Sequence, residues 1–145
     1  MPARDVDNCC LIVPGRFESL AQIADFVGAI VRDAGWNEDE TFRVQMAVDE
    51  ACSNIIEHAY GPDLQGNIQL TCSIAGQGDL VISIRDTGRP FDPTAVPKPP
   101  VGADVASLPE GGLGLHFMHK LMDDVIFRFE EKKGNELIMI KRRPK

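Results

Sequence analysis

The chain has 145 residues, of which 43% are hydrophobic and 26% are charged, and its formal net charge is −7. This composition is typical of a globular domain long enough to bury one core, and the acidic charge disfavours direct nucleic-acid binding because it offers phosphate no basic field. The sequence shows neither a signal-peptide pattern nor a run of about 18 apolar residues that could span a membrane, so we expect one domain over residues 1–145, in the cytoplasm.

The first predicted elements are a strand and two helices. The apolar run over residues 9–13 predicts a strand that Pro14-Gly15 ends in a turn, and we place it at a sheet edge. Apolar residues then recur at helical spacing from position 17 to Gly35. A second helix is predicted from Asn37, its N-cap, to Gly61-Pro62, with Glu40 forming an approximate capping box.

Three polar side chains follow the border of the apolar face of the second helix. Glu50, Asn54 and His58 recur every four residues, so they lie one above the other at the rim of a core. A carboxylate and an amide oxygen one turn apart can serve as a general base and as a ligand for magnesium, which prefers oxygen donors. A solvated polar helix edge gives the same pattern and is the more common meaning, so the periodicity alone leaves both interpretations open.

The second half of the chain predicts two hairpins separated by a long loop. Alternating apolar residues predict strands over residues 67–75 and 80–85, and over 125–129 and 136–141, with the last turn at Lys133–Asn135. A proline-rich loop over residues 89–110 shows no such pattern, and loops of that length are typically lids, binding loops or disordered. Together these elements predict an α+β fold, a two-layer sandwich with about three helices on one face of a mixed, mostly antiparallel sheet.

Two short motifs flank the long loop. Asp86-Thr87-Gly88 follows a strand, where a fixed carboxylate could accept a hydrogen bond from an exocyclic amine such as that of adenine. Residues 111–114, with the sequence GGLG, begin a helix and bring backbone N–H groups together, as in a phosphate-binding site. Taken singly, the first motif also fits an ordinary Asp-x-Gly turn and the second a hinge of a flexible lid.

The order of these motifs carries a resemblance that covers nearly the whole chain. The segments VDEACSNIIEHAY, DTGRPFDP and GGLGLHFMHKLMDDV resemble the Bergerat-fold ATPase superfamily and, within it, the small anti-sigma-factor serine/threonine-protein kinases of the RsbW type. The resemblance implies the Bergerat ATP-binding fold, with ATP and Mg²⁺ as cofactors. It further implies that Glu50 activates the attacking hydroxyl, that Asn54 binds the magnesium ion and that Asp86 recognises adenine.

The resemblance also implies how the pocket is shaped and closed. The residues that would shape it are Gly88, Gly112, Leu113 and Gly114. Phe91 and an ATP lid over about residues 89–112 would close over the nucleotide. Some members of the family carry a basic residue where this chain has Pro109-Glu110. The cationic partner of the phosphates is therefore open, with Arg89, Lys98 and Lys120 as candidates.

The partners are likewise implied by the resemblance. We expect the kinase to phosphorylate a small antagonist protein, an anti-anti-sigma factor, and alternately to bind a sigma factor; a homodimer is left open. The chain has no phosphoacceptor-histidine segment, and His58, His116 and His119 fit structural roles better than metal roles. The alternative is a nucleotide-responsive protein-binding module of the same fold with little kinase activity.

Overall fold

The computed structural model of the chain describes residues 9–62, 65–90 and 118–143. In chain order its elements are β1 (Cys9–Pro14), a 3₁₀ turn (Phe17–Ser19), α1 (Leu20–Asp33), α2 (Glu38–Asn54), a π-helical turn (Ile55–Tyr60), β2 (Asn67–Ile74), β3 (Leu80–Asp86), β4 (Asp124–Glu130) and β5 (Gly134–Lys141). Residues 118–121 are also helical. Within these ranges, no helix is long and apolar enough to cross a membrane.

The strands form one sheet in the order β1-β2-β3-β5-β4. All four pairings between the described strands are antiparallel. Both predicted hairpins are present, β2 with β3 and β4 with β5, and β1 lies at a sheet edge as predicted. The structure thus confirms the expected α+β class and the predominance of antiparallel pairing.

One face of the sheet is buried, as the alternation of apolar residues predicts. In β2, Ile68 and Leu70 are fully buried, while Gln69 between them is exposed. The buried side chains belong to the same core as Val27 on α1 and Val48 on α2. Both helices therefore cover this one face of the sheet, which confirms the two-layer arrangement.

The start of α2 is fixed by its cap and by an ion pair. The side-chain oxygen of Asn37 accepts a hydrogen bond from the backbone N–H of Glu40 at 2.8 Å, as the N-cap prediction requires. Instead of turning back toward Asn37, the Glu40 carboxylate lies 2.7 Å from Nζ of Lys141. The helix that carries the candidate catalytic residues is thereby attached to the end of β5.

The prediction of one uninterrupted α-helix up to Gly61 is wrong for its last turn. From Ile55 to Tyr60 the backbone is π-helical, and the N–H of Gly61 donates to the carbonyl of Ile56, five residues earlier, at 3.0 Å. The Ala59 carbonyl in this turn accepts the N–H of Arg89 at 2.7 Å. A contact with the segment after β3 thus supplies a partner that the end of a helix lacks.

The last hairpin turn also ends earlier than predicted, because Gly134 and Asn135 belong to β5. Gly134 has a φ of 86°, and a Cβ atom there would collide with the carbonyl oxygen of Asp86. Only glycine allows β5 to approach β3 so closely at this point. The close approach makes Asn135 the cross-strand partner of Asp86.

Candidate functional site

A pocket lies where the end of α2 meets β3 and β5. Its walls include Asn54 from α2, Asp86 from β3, Asn135 from β5 and Met118 from the helical residues 118–121. The polar or charged side chains in its lining number five, since Arg128 and Glu136 also contribute. A few polar groups among apolar walls are the usual composition of a small-molecule site. The cavity volume is about 40 Å³, which corresponds to roughly three water molecules at 10–15 Å³ each.

Asp86 is held in this pocket by two hydrogen bonds to one of its oxygens. Oδ1 accepts from the backbone N–H of Gly88 and from Nδ2 of Asn135, both at 2.9 Å. Oδ2 accepts no hydrogen bond from any described residue. The carboxylate is therefore oriented by the protein through Oδ1 and retains the acceptor capacity of Oδ2.

The surroundings of Asp86 disfavour its ionised form. The residue is buried, and this burial raises the pKa of the Asp86 carboxyl above its ordinary value. The hydrogen bonds from Asn135 and Gly88 act in the opposite direction but do not cancel the effect of burial. A buried carboxylate with a raised pKa in a pocket is a candidate functional group.

The Asp86-Thr87-Gly88 motif is attached to the π-helical turn. The N–H of Thr87 donates to the Tyr60 hydroxyl at 3.0 Å, and that hydroxyl donates to the carbonyl of Asn67 at 2.5 Å. A Cβ atom at Gly88 would lie 2.5 Å from the carbonyl carbon and oxygen of Ala59. Gly88 thus allows the end of β3 to approach the backbone of the π-helical turn closely.

Glu50 and Asn54 are one helical turn apart, about 6 Å along the axis, but they line different cavities. Asn54 lines the pocket with Asp86, whereas Glu50 lines a neighbouring groove with Asp49 and Met46. Partial burial raises the pKa of Glu50, and the charges of Asp49 and Glu57 raise it further. The Glu50 carboxylate therefore has a higher proton affinity than an exposed one, which suits a general base.

Several predicted site residues lie outside the described residues. They are Phe91, Gly112, Leu113 and Gly114, together with Lys98, His116 and nearly all of the lid over residues 89–112. Their roles remain predictions.

The described cationic and histidine candidates are all exposed. Arg89 exposes its side chain, while its carbonyl accepts from Nδ2 of Asn135 at 2.8 Å. Lys120 and His119 are exposed beside the pocket wall. His58 is exposed in the π-helical turn, does not line the pocket, and places Nε2 3.7 Å from the Glu57 carboxylate.

Sequence reasoning missed Asn135 and Tyr60. The sequence pattern predicts Asn135 in a turn, although its spacing from Leu137 and Met139 would point it inward once the strand is extended by two residues. A polar residue at an inward position of a strand is the signal that could have found it. Tyr60 lies among apolar neighbours at a helix end, and the sequence gives no indication of its contact with Thr87.

The chain matches a protein-family model described as "Histidine kinase-like ATPase domain" over residues 13–141. It is also similar to the serine-protein kinases RsbW of Bacillus thuringiensis (strain Al Hakam) and Bacillus anthracis. It is 31% identical to each, and the matches cover 89% of this chain and 81% of each relative.

Two solved structures share the fold at low sequence identity. One contains the RsbU and RsbW domains of Rv1364c from Mycobacterium tuberculosis, with a TM-score of 0.65, 17% identity and 94% of this chain covered. The other is the histidine kinase domain of a blue-light-activated kinase from Erythrobacter litoralis, with a TM-score of 0.54, 19% identity and 86% of this chain covered. This chain spans 33% of the first structure's chain and 59% of the second's.

Proposed function

The chain belongs to the histidine kinase-like ATPase domain family and, within it, to the RsbW-type serine-protein kinases, and from that premise we propose that it phosphorylates a small antagonist protein. The γ-phosphate of ATP would be transferred to a serine or threonine of that antagonist. The kinase would alternately bind a sigma factor, so that phosphorylation regulates transcription by partner switching. This cycle would run in the cytoplasm without contact to nucleic acid or membrane, and it is compatible with a homodimer.

The observation that carries this proposal is the arrangement of Asp86 beside Asn54 in one pocket. Adenine presents an exocyclic amino group, which is a hydrogen-bond donor. Oδ2 of Asp86 is the acceptor available to it, because Oδ1 is engaged by Gly88 and Asn135. We propose that Asp86 binds the adenine amine and that the phosphates extend toward Asn54.

Magnesium fits this donor set only together with the nucleotide. The described residues contain no group of three or more acidic, histidine or cysteine side chains that could hold a metal ion. Magnesium sites in phosphoryl-transfer proteins commonly use one or two protein ligands and complete their coordination with phosphates and water. Asn54 would supply one such ligand through its side-chain oxygen. The ion would neutralise phosphate charge during transfer.

Glu50 would act on the protein substrate. We propose that its carboxylate accepts the proton of the serine hydroxyl while the hydroxyl oxygen attacks the γ-phosphorus and the bond from that phosphorus to ADP breaks. The raised pKa of Glu50 supports this role, because it increases the proton affinity of the base. Arg89 and Lys120 are the described candidates for a cationic contact to the phosphates.

The remaining assignments belong to the loop and glycine motif outside the described residues. Phe91 and the lid would exclude water from the phosphates, and residues 111–114 would offer them backbone N–H groups. These groups would supply the positioning on which phosphoryl transfer mostly depends.

Incubation with γ-labelled ATP, magnesium and a panel of candidate antagonist proteins tests the proposal. We expect one candidate to become labelled on serine or threonine, and Glu50→Gln to lower the rate of labelling by about 10²–10⁴-fold while ATP binding persists. Clear ATP binding by the unmodified protein with no transfer to any candidate would refute the kinase assignment.

A second function is favoured by one specific observation. Glu50 does not line the pocket that Asn54 and Asp86 share. If that separation persists with nucleotide bound, the chain is a binding module in which ATP changes a protein interface without transfer. Binding of an antagonist or sigma factor that depends on ATP, in the absence of transfer, would identify this function.

A further inference from the structure

A groove beside the nucleotide pocket lies between α1, α2 and the helical residues 118–121. Its volume is about 380 Å³, several times that of the pocket. Phe42 and Met46 line it along α2, and Asp49 and Glu50 line it farther along the same helix. The candidate general base thus belongs to a groove large enough for side chains of another molecule.

The groove has an exposed apolar rim. Phe42 is 60% exposed and Met46 is 38% exposed. They are four residues apart and therefore adjacent on one helix face, and Glu50 follows at the same spacing. Single exposed apolar residues are ordinary on a protein surface, but here two large ones flank the same groove. Exposed apolar groups of this kind bordered by polar ones mark interaction sites, and methionine adapts to different partners.

The walls of the groove are held by packing between the two helices. Nε2 of Gln45 donates to the carbonyl of Ala24 at 2.9 Å, which ties α2 to α1. Gly28 on α1 leaves the space that the Gln45 side chain occupies, because a Cβ atom there would collide with it. A partner would therefore meet a preformed surface, and little ordering cost would oppose binding.

We propose that this groove docks the segment of the protein substrate that surrounds its phosphoacceptor hydroxyl. An apolar side chain of that segment packs against Phe42 and Met46, and the hydroxyl then reaches Glu50. The inference rests on the proposed kinase function, because it assumes that Glu50 is the base.

The position of Glu50 in the groove and the spacing of the groove residues along α2 identify the phosphoacceptor segment as the occupant. Of the α2 residues that line the groove, Glu50 is nearest in sequence to Asn54 in the nucleotide pocket, one helical turn farther along. A hydroxyl at this part of the groove would therefore lie next to the proposed phosphate site. Glu50 lies about 6 Å from Met46 and about 12 Å from Phe42 along the helix axis. An extended chain covers those distances in about two to four residues. The apolar anchor is therefore two to four residues from the serine or threonine.

The charge of the groove adds a second requirement. Asp49 and Glu50 are adjacent in its lining, and the whole chain is acidic, with a net charge of −7. A basic residue next to the phosphoacceptor complements these carboxylates and speeds encounter at low salt. The expected segment combines an apolar anchor, a basic residue and a hydroxyl.

The experiment uses the antagonist protein that accepts phosphate in the labelled-ATP assay. KM and kcat are measured for Phe42→Ala, Met46→Ala and the double variant. Ile12→Ala and Ile126→Ala are the matched controls, because these side chains are 59% and 40% exposed and lie on β1 and β4, away from the groove. We expect each groove variant to raise KM for the protein substrate about tenfold, with kcat and KM for ATP unchanged. The controls should match the unmodified protein.

The outcomes separate this inference from the proposed function. Transfer with an unchanged KM for the protein substrate in both groove variants overturns the docking site and leaves the kinase assignment intact. If no antagonist is phosphorylated, binding of the same proteins is measured by calorimetry with a non-hydrolysable ATP analogue. Binding that Phe42→Ala and Met46→Ala weaken supports the groove while refuting the kinase, and absence of binding overturns both.

Discussion

Asp86 meets two opposing demands at the scale of a single residue. Its burial raises its pKa, so the charged form destabilises the folded chain. Its proposed function requires the charged form, because a carboxylate offers only acceptor lone pairs to the adenine amine. A residue whose charged form lowers the stability of the fold is typical of a functional site. Asn135 and Gly88 limit that cost by donating to Oδ1.

The first prediction is that Asp86→Asn stabilises the fold and weakens nucleotide binding. The asparagine oxygen can accept the same two hydrogen bonds. Its NH₂ group, however, would place a hydrogen-bond donor opposite the adenine amine, which is also a donor. We expect the affinity for ATP to fall by about 10- to 100-fold, because a buried polar group left unpaired costs about 1–3 kcal/mol. Calorimetry with ATP measures this loss, and thermal unfolding measures the gain.

The gain in stability of Asp86→Asn should depend on pH, because the pKa of Asp86 is raised in the folded chain. Below the unfolded-state pKa both states of Asp86 are protonated, so the carboxyl costs no stability, and the cost appears as the pH rises through the folded-state pKa. The melting-temperature difference between Asp86→Asn and the unmodified protein should therefore be smallest at acid pH and grow toward neutrality. A difference that is constant with pH would contradict the burial argument.

The second prediction separates the roles of two neighbours on α2. Asn54→Ala should weaken magnesium–nucleotide binding, because it removes the proposed protein ligand of the ion, while binding of metal-free nucleotide changes little. Glu50→Gln should preserve binding and lower the transfer rate by about 10²–10⁴-fold, the usual contribution of a general base. Titrations with and without magnesium, followed by single-turnover transfer, measure both effects. Equal loss of binding in the two variants would argue against separate roles.

At the scale of elements, the site depends on a junction between a helix end and a strand end. The π-helical turn presents the carbonyl of Ala59 to the N–H of Arg89, and Tyr60 accepts the N–H of Thr87. The motif that carries Asp86 is thus fastened to the helix that carries Asn54. Disturbing the junction should change the fold and the site together, since one set of contacts supports both.

The third prediction concerns Gly88 at this junction. A Cβ atom there would lie 2.5 Å from the Ala59 carbonyl group, so Gly88→Ala should force the strand end away from the helix. We expect a loss of about 1–3 kcal/mol, as for other overpacked sites, and weaker ATP binding. Gly76→Ala is the matched control, because no atom lies within 4 Å of a Cβ placed there. Urea unfolding measures both variants, and equal midpoints would contradict the close approach.

At the scale of the whole molecule, the sequence predicts the elements that depend on periodicity. Alternation in β2 and helical spacing in α1 follow directly from burial of one face, so the sandwich and its hairpins could be predicted. The π-helical turn could not, because the periodicity does not distinguish it from an α-helix and the N–H of Arg89, which donates to the Ala59 carbonyl, lies 30 positions along the chain. The same holds for Asn135, whose role arises only when β5 pairs with β3. The separation of Glu50 from the pocket likewise depends on tertiary packing.

The pocket itself is smaller than its proposed ligand. About 40 Å³ accommodates a few water molecules, whereas the adenine ring system is much larger. The lining residues other than Met118 belong to α2, the π-helical turn, β3, β5 and the edge strand β4. Met118, which is 1% exposed, belongs to the helical residues 118–121 at the edge of the described chain. We infer that nucleotide entry displaces Met118 from the pocket.

The last prediction follows from this displacement. Met118→Ala should destabilise the nucleotide-free protein by about 2–5 kcal/mol, as for other buried methionines, but it also removes the group that adenine must displace. In this variant the pocket is already open, so nucleotide binding does not have to displace a side chain. A fixed concentration of a non-hydrolysable ATP analogue should therefore raise the melting temperature of Met118→Ala more than that of the unmodified protein.

Met139→Ala is the control, because Met139 is equally buried but does not line the pocket. It should lose similar stability without the extra nucleotide response, and equal responses in the two variants would show that Met118 does not obstruct adenine.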